Sequence, residues 1–210
     1  LGNAKPLEMV DTCLCMGAAI TQAQGIGRAE PGRQAIAVLG DSTFFHSGIT
    51  GVINAVYNQY PLTLVILDNS TTAMTGFQPH PGAGQTATGE IVAAVDLQKV
   101  LAGCGVTFIK RVDPVNLKEA VAAVKEALAY DGPAVIIMKR ACINLPEAKG
   151  SAPVVIDMEK CKDCGLCVTE IGCPALVMET GQKPQVLESC AGCGLCIEVC
   201  PFEAILGGDN

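Results

Sequence analysis

The chain has 210 residues, 50% of them hydrophobic and 17% charged, and a formal net charge of −7. This composition excludes intrinsic disorder for most of the chain, because disordered segments combine few apolar residues with many charges. An acidic chain without Trp is a poor nucleic-acid binder. Its apolar runs fall far short of the about 18 residues that a membrane span needs, so we expect no membrane segment.

Strand-like and helical patterns alternate along the first two thirds of the chain. Short apolar runs predict strands buried on both faces at 34–39, 62–67, 106–112 and 134–138. The segments between them predict helices over 13–28, 44–59, 92–102 and 113–130, the last with Pro114 at the favoured first position. This alternation predicts an α/β fold, a mostly parallel sheet with helices on both faces. Residues 69–89 form a long predicted loop, and such loops are usually functional.

The composition changes at residues 142–153, where Pro146, Gly150 and Pro153 indicate a linker. We therefore predict two domains, an α/β domain over 1–148 and a small α+β domain over 149–210. The chain does not begin with Met, and we expect it to be processed or to be part of a longer protein.

Cysteine usage indicates metal rather than disulfides. Of twelve cysteines, Cys13, Cys15, Cys104 and Cys142 are scattered, and we expect them to be small buried apolar residues. The other eight follow the linker, and no secretion signal is visible, so we expect a reducing cytoplasm.

The eight cysteines lie in two repeats separated by about 30 residues, which indicates an internal duplication. The second repeat has the spacing of bacterial two-cluster ferredoxins, in which the fourth cysteine of a run ligates the other cluster. The first has five residues before its fourth cysteine, where three are usual. A zinc ribbon would leave four of the eight unexplained. We predict two [4Fe–4S] clusters: cluster A on Cys161, Cys164, Cys167 and Cys200, and cluster B on Cys190, Cys193, Cys196 and Cys173.

Polar residues follow the first two predicted strands. Gly40, Asp41 and Ser42 come after the first, and Asp68 and Asn69 follow the second, about 25 residues later. Neighbouring parallel strands end at the same edge of a sheet, where ligands bind. One carboxylate and one amide oxygen there suit a Mg²⁺ ion that bridges a diphosphate. The helix that follows would offer its first N–H groups to the phosphates.

This pattern resembles the thiamine diphosphate–magnesium motif, in which G-D-G is followed after about 25 residues by N-N, where this chain has G-D-S and D-N. The resemblance implies that Asp41 and Asn69 are side-chain Mg²⁺ ligands and that Thr71 supplies its backbone carbonyl. It places Gly40, Ser42 and Thr43 near the diphosphate. The segment 72–78, with Met74, Thr75 and Gly76, looks like the loop that closes over the cofactor.

Three segments of the chain, followed by the two-cluster tail, resemble the C-terminal part of large subunits of indolepyruvate:ferredoxin oxidoreductases, in the 2-oxoacid:ferredoxin oxidoreductase superfamily. The segments read GDSTFFHSG, LDNSTTAMTG and DTCLCMGAA. The resemblance implies the reaction 2-oxoacid + CoA + oxidised ferredoxin → acyl-CoA + CO₂ + reduced ferredoxin. Pyruvate-type relatives carry a third cluster held partly by CxxCG. Cys13 and Cys15 here form CxC, so we expect no third cluster.

The resemblance also implies partners. The Glu that activates thiamine lies on a separate pyrimidine domain, which this chain lacks, so we expect another domain or chain to supply it. A small second subunit and ferredoxin complete the expected hetero-oligomer, and the chain alone should be inactive.

The alternatives are another 2-oxoacid:acceptor oxidoreductase, for phenylglyoxylate or branched-chain oxoacids, and an electron-transfer module with a non-functional thiamine site. A non-oxidative decarboxylase is disfavoured because it has no use for eight cluster cysteines. Met74 stands where pyruvate-type relatives place Asn and would suit an aryl side chain, although packing also explains it. His46 could bind phosphate or a substrate carboxylate, and His80 could face the substrate.

Overall fold

The computed structural model describes residues 2–146, 152–179 and 181–207. Its Cα positions divide the chain into two compact units. The sheet unit comprises 13–114 and 118–142, and the cluster unit comprises 1–12, 115–117 and 143–210. Residues 147–151, which include Gly150 of the predicted linker, lie outside the described part, and the domain boundary at 148–149 stays a prediction.

Strands β1 to β4 build a parallel sheet in the order β1-β2-β4-β3. They span Ile36–Gly40, Leu62–Asp68, Phe108–Val112 and Pro133–Lys139. The two central strands, β2 and β4, are continuous apolar runs because both of their faces are covered. The predicted parallel α/β sheet is confirmed, with strand bounds one or two residues from those expected.

The helices of the sheet unit cover both faces of this sheet. Along the chain they are α1 (Ala18–Ala29), α2 (Asp41–Thr43), a π-helical turn (Phe44–Gly48), α3 (Ile49–Tyr57), α4 (Leu97–Gly103) and α5 (Leu117–Ala129). On one face, Ile20, Phe44 and Leu101 pack against Leu64 of β2. On the other face, the alanines of α5 pack against Val65 of β2. Burial of these apolar side chains stabilises the sheet by about 25 cal/mol per Å².

Several helix starts differ from the sequence prediction for visible reasons. Helix α1 begins at Ala18 because Gly17 has φ +89°, and a Cβ there would lie 2.2 Å from Ser47 Oγ. Helix α4 begins after Asp96, whose side chain accepts the Lys99 N–H at 3.1 Å as an N-cap. Helix α5 begins at Leu117 and not at Pro114, so the expectation of a proline at the first position is wrong.

The long loop after β2 is ordered by local bonds. It contains 3₁₀ turns at Ala73–Thr75 and Pro81–Ala83 and two isolated antiparallel bridges, Thr72 to Gln78 and Gln85 to Ile91. The loop was predicted from composition, but its internal bridges were not.

The cluster unit is a small α+β fold with an internal repeat. Its strands are β5 (Val155–Ile156), β6 (Leu176–Val177), β7 (Gln185–Val186) and β8 (Ile205–Leu206), and its helices are α6 (Leu166–Thr169) and α7 (Leu195–Glu198). Strand β5 pairs with β8 and β6 with β7, both antiparallel. No described helix of either unit is long and apolar enough to cross a bilayer.

Candidate functional site

The carboxyl ends of β1 and β2 bring the predicted magnesium ligands to one edge of the sheet. The strands are parallel neighbours, and their register ends with Gly40 opposite Leu67. Asp41 follows the first strand and Asn69 follows the second. The parallel topology places both side chains beyond the same edge, as the sequence predicts.

The Asp41 carboxylate is almost fully buried, with 3% of the residue exposed. Its Oδ1 accepts the N–H of Ser42 at 2.8 Å, and its Oδ2 accepts the N–H of Ser70 at 2.9 Å. His80 Nε2 lies 3.1 Å from the same Oδ2. The Ser42 N–H, expected to face a phosphate, is therefore already used by Asp41.

These donors keep Asp41 ionised. Burial acts to raise the pKa of the carboxyl group, but the nearby His80 imidazole and the hydrogen bond from Ser42 outweigh it, and the pKa lies below its ordinary value. A buried carboxylate that stays negative is a suitable cation ligand.

Two contacts join the loop after β1 to the loop after β2. Ser70 N–H reaches Asp41, and Thr72 Oγ1 lies 2.8 Å from Ser42 Oγ. Between them, Asn69 Oδ1 accepts the Thr71 N–H at 3.1 Å, and Thr71 is buried. The structure thus brings Gly40, Asp41, Ser42 and Thr43 to the same edge as Asn69 and Thr71.

The departure from N-N to D-N has a structural explanation. Lys139, at the end of β4, pairs in register with Asp68, and its Nζ lies 2.6 Å from Asp68 Oδ1. The same Nζ donates to Ser70 Oγ at 2.6 Å. The extra carboxylate is therefore neutralised beside the site. Sequence reasoning missed Lys139, although its place at the end of a predicted parallel strand was a usable signal.

The predicted cofactor loop closes on itself. Phe77 N–H donates to Thr72 O, and Gly76, with φ +118°, ends the turn. Its tip is exposed, and Met74 is fully exposed. The structure does not bring Met74, Thr75 and Gly76 into contact with Asp41 or Asn69.

The two histidines lie in contrasting places. His46 is exposed within the π-helical turn. His80 is 7% exposed and lies against Asp41, a placement that the sequence prediction of a substrate-facing residue did not include. A loop histidine between two prolines was the available signal, but nothing in the sequence linked it to Asp41.

In the cluster unit, the eight tail cysteines fall into the two predicted groups. Burial raises the pKa of the Cys167 thiol, and the neighbouring thiols that raise it further belong to Cys164, Cys161 and Cys200. Burial raises the pKa of Cys196 to about 11, together with the neighbouring thiols of Cys193, Cys173 and Cys190. Each group therefore joins three cysteines of one repeat to the fourth of the other.

The surroundings of the first group fit a buried cofactor. Cys161, Cys164, Cys167 and Cys200 line one cavity with Ile156, Leu166 and Phe202. The N–H of Ala204 donates to Cys200 Sγ at 3.4 Å, the kind of bond that tunes a ligating sulfur. Within the described ranges, no three His, Cys, Asp or Glu side chains are placed to hold a single metal ion.

The two repeats share an unusual backbone. Gly165 and Gly194 precede α6 and α7 with φ of 73° and 79°. Two residues after the first cysteine of each run, Asp163 and Gly192 also have positive φ, 55° and 66°. This local equivalence matches the duplication read from the sequence.

None of the twelve cysteines is in a disulfide. Cys104 packs against the core of the sheet unit, and burial raises its pKa. Cys13 and Cys15 are exposed, so the expectation that they are buried apolar residues is wrong. Gly17 explains this, because its left-handed backbone keeps residues 13–16 out of α1.

Comparison with family models identifies both units. Residues 1–138 match the thiamine pyrophosphate enzyme, C-terminal TPP binding domain. The chain belongs to the thiamine pyrophosphate enzyme family. Residues 153–201 of this family member match a 4Fe-4S dicluster domain.

Curated relatives combine the two domains in one polypeptide. The chain is 43% identical over 98% of its length to the indolepyruvate oxidoreductase subunit IorA of Archaeoglobus fulgidus, and 36% identical over 97% to that of Pyrococcus abyssi. It covers 33% and 35% of those proteins. The chain therefore spans about a third of the length of the curated relatives it matches.

A solved structure supports the fold. The 2-oxoglutarate:ferredoxin oxidoreductase from Magnetococcus marinus, solved with 2-oxoglutarate, coenzyme A and succinyl-CoA bound, matches with a TM-score of 0.54 at 21% identity. The match covers 60% of this chain and 46% of that one.

Proposed function

We propose that this chain supplies the diphosphate-binding side and the electron exit of an indolepyruvate-type 2-oxoacid:ferredoxin oxidoreductase. The observation that carries the proposal is that one chain holds both Asp41, buried at the sheet edge beside the Ser42 and Ser70 N–H groups, and eight cysteines within a matched 4Fe-4S dicluster domain. A non-oxidative decarboxylase would need only the first of these. The identity to indolepyruvate oxidoreductase subunits supports the same function.

The donor set at the sheet edge fits Mg²⁺ and a diphosphate. Asp41 Oδ1 accepts one N–H and Asn69 Oδ1 accepts one N–H, so each keeps a lone pair for a metal. With the Thr71 carbonyl, they form the all-oxygen set that Mg²⁺ prefers. Ser42 and Thr43 would lie beside the phosphates. When bound, thiamine diphosphate supplies the decarboxylation of the 2-oxoacid, and this edge holds and orients the cofactor.

The cysteines of the cluster unit fit two [4Fe–4S] clusters, which would carry electrons singly to ferredoxin. Cluster A would be held by Cys161, Cys164, Cys167 and Cys200, and cluster B by Cys190, Cys193, Cys196 and Cys173. A cluster ligated across both repeats also crosslinks them, and in this short fold the strands are only two residues long.

The activating Glu and the wall that covers the pyrimidine ring would come from other polypeptide. The relatives are about three times as long as this chain, which supports that assignment. A small second subunit, ferredoxin and CoA complete the proposed cytoplasmic system, and the neighbour solved with coenzyme A supports the last of these.

The native 2-oxoacid is proposed to be an aryl-pyruvate. Met74 and Phe77 place exposed apolar surface on the loop expected over the cofactor. Phenylglyoxylate and branched-chain oxoacids are the competing substrates, and the electron-transfer module with a non-functional thiamine site is the competing function.

The test is reconstitution. The chain is combined with the remaining two thirds of a relative's subunit and its partner, and CoA-dependent reduction of viologen or ferredoxin is followed. We expect turnover only in the combined system, faster with indolepyruvate than with pyruvate. Turnover by the chain alone would contradict the proposal that other polypeptide completes the active site. Faster turnover of pyruvate, phenylglyoxylate or a branched-chain oxoacid would refute the indolepyruvate assignment. Clusters that reduce without any Mg²⁺-dependent thiamine binding would favour the electron-transfer module.

A further inference from the structure

His80 is buried in the sheet unit at a place that the proposed chemistry does not yet use. It precedes a 3₁₀ turn and has 7% of its surface exposed. Its ring stacks on Phe45, with centroids 5.8 Å apart and planes at 28°. Gly82 lies against both rings, since a Cβ there would lie 2.9 Å from Phe45 Cε2 and 3.1 Å from His80 Cε1. The ring therefore has little room to turn.

The hydrogen bonds define which ring nitrogen carries the proton. Nδ1 accepts the N–H of Gly82 at 3.1 Å, so it is unprotonated. A neutral imidazole must then carry its proton on Nε2, and Nε2 lies 3.1 Å from Asp41 Oδ2. This is a close approach and not a formed hydrogen bond, because Nε2 has no hydrogen-bond partner among the described residues. A buried N–H without a partner is costly, which favours its donation to the Asp41 oxygen beside it.

The two oxygens of Asp41 are consequently unequal. Oδ2 faces two donors, the Ser70 N–H and His80 Nε2, whereas Oδ1 faces only the Ser42 N–H. When both donors bond to Oδ2, its lone pairs are used. Oδ1 is left as the oxygen that can face a cation.

We infer that His80 is a positioning residue for Asp41: its Nε2–H holds Oδ2 and thereby turns Oδ1 toward the metal of the diphosphate site. The inference rests on the proposed Mg²⁺ site. It replaces the idea that His80 faces the substrate, since the ring stacks on Phe45 and its unpartnered Nε2 lies 3.1 Å from Asp41 Oδ2. Partners that orient ligating groups in this way typically contribute 10–100-fold to metal affinity.

The first experiment measures metal affinity. His80→Leu removes the donor and keeps apolar volume, and His80→Gln keeps an N–H near the position of Nε2. Gly82→Ala adds a Cβ that crowds Phe45 and the His80 ring. Gln85→Ala is the matched control, because the Gln85 side chain donates to Gly89 O within the same loop. Mn²⁺ and Mg²⁺ binding with thiamine diphosphate is titrated by calorimetry on the chain combined with its missing polypeptide.

We expect His80→Leu to weaken metal binding by about 10–100-fold, Gly82→Ala to weaken it in the same direction, and His80→Gln to recover most of the loss. Gln85→Ala should bind as the unmodified chain does. Unchanged metal affinity in His80→Leu would overturn the inference. So would a loss in His80→Gln as large as that in His80→Leu.

A second measurement does not need the metal. The chain has two histidines, so ¹⁵N-histidine labelling yields two imidazoles to compare by NMR. We expect the imidazole signals that disappear in His80→Gln to be those of a neutral Nε2–H tautomer. The same signals should move in Asp41→Asn. An Nδ1–H tautomer, or no response to Asp41→Asn, would overturn the contact itself. If the unmodified chain bound no Mg²⁺, the proposed function would fail, and this spectrum would still decide the His80–Asp41 contact.

Discussion

The cluster unit differs from the sheet edge around Asp41 and Asn69, where we propose that the diphosphate binds, in how far apart its functional residues lie in the sequence. We call this sheet edge the diphosphate edge. In the cluster unit, three of the four cysteines of each group lie within seven consecutive residues, and only the fourth comes from the other repeat. At the diphosphate edge, Asp41, the loop residues Ser70 and His80, and Lys139 come from three separate segments that the parallel sheet brings together. Local spacing therefore identifies the first site, whereas the second depends on topology.

This difference also governs how each site should fail. Removing a cysteine leaves one cluster without a ligand and leaves the other cluster intact. Removing a residue at the diphosphate edge disturbs several shared bonds, because Ser70 alone contacts both Asp41 and Lys139. We therefore expect a substitution in the cluster unit to remove one cluster and leave the other in place. A substitution at the diphosphate edge should weaken several contacts together.

The largest expected effect tests the crossed fourth ligand. Cys200→Ala should reduce the iron content from about eight to about four atoms per chain, because one of two clusters loses a ligand. The double variant Cys167→Ala/Cys200→Ala should keep about four, since both residues belong to cluster A. Cys196→Ala/Cys200→Ala should keep almost none, since it damages both clusters. Iron and acid-labile sulfide are assayed on the purified chain.

The opposite ranking of the two double variants would show that each repeat ligates its own cluster. Cys13→Ser is the matched control, because Cys13 is exposed and lies in the sheet unit. Its iron content should equal that of the unmodified chain, and a loss there would reveal a third cluster.

The next effect concerns the anionic ligand at the edge. Asp41→Asn keeps the shape of the side chain and removes its charge, so a diphosphate would face the site without its Mg²⁺. We expect thiamine diphosphate to bind about 100-fold more weakly or not at all in the reconstituted protein. Equilibrium dialysis with Mg²⁺ measures the affinity. Asp131→Asn, an exposed carboxylate of the same unit, is the control, and equal weakening in both variants would refute the assignment.

Residues close in sequence were predicted well, and contacts between distant segments were not. The strands followed from apolar runs, which are a local signal, and three cysteines of each proposed cluster lie within seven consecutive residues. The place of His80 against Asp41 depends on how residues 69–89 fold, which composition does not encode. The pairing of Asp68 with Lys139 required the strand order β1-β2-β4-β3, which alternation of strands and helices leaves open. Helix starts were missed where Gly17 and Asp96 determine them.

A smaller effect tests coupling at the edge through the Asp68–Lys139 pair. The two side chains are 15% and 28% exposed, so their ion pair is only partly screened by water. Lys139→Met should lower the free energy of unfolding of the sheet unit by about 1–2 kcal/mol, because it leaves a largely buried carboxylate unpaired. Asp68→Asn alone restores the usual N-N motif and should lower the free energy of unfolding by less than Lys139→Met does. Urea unfolding at neutral pH measures each change.

The double variant Asp68→Asn/Lys139→Met closes a thermodynamic cycle. It should recover most of the loss seen in Lys139→Met, which gives a coupling energy of about 1 kcal/mol. Additive losses would mean that the pair does not stabilise the edge, and D-N would then need another explanation.

The smallest expected effect compares the two repeats at one backbone position. Asp163 and Gly192 both have positive φ, which costs a residue with a Cβ about 1–2 kcal/mol and costs Asp less. Gly192→Ala should therefore destabilise the cluster unit by about 1 kcal/mol, whereas Asp163→Gly should be neutral or slightly stabilising. Thermal loss of the cluster absorbance measures both. If the two variants destabilised the unit equally, the repeats would not share this turn.

A third variant separates the charge of Asp163 from its backbone conformation. Asp163 Oδ1 lies 3.7 Å from Cys161 Sγ, and Asp163→Asn removes the charge while it keeps the shape of the side chain. It should leave the thermal midpoint nearly unchanged and raise the reduction potential of cluster A, since a negative charge beside a ligating sulfur disfavours the reduced cluster.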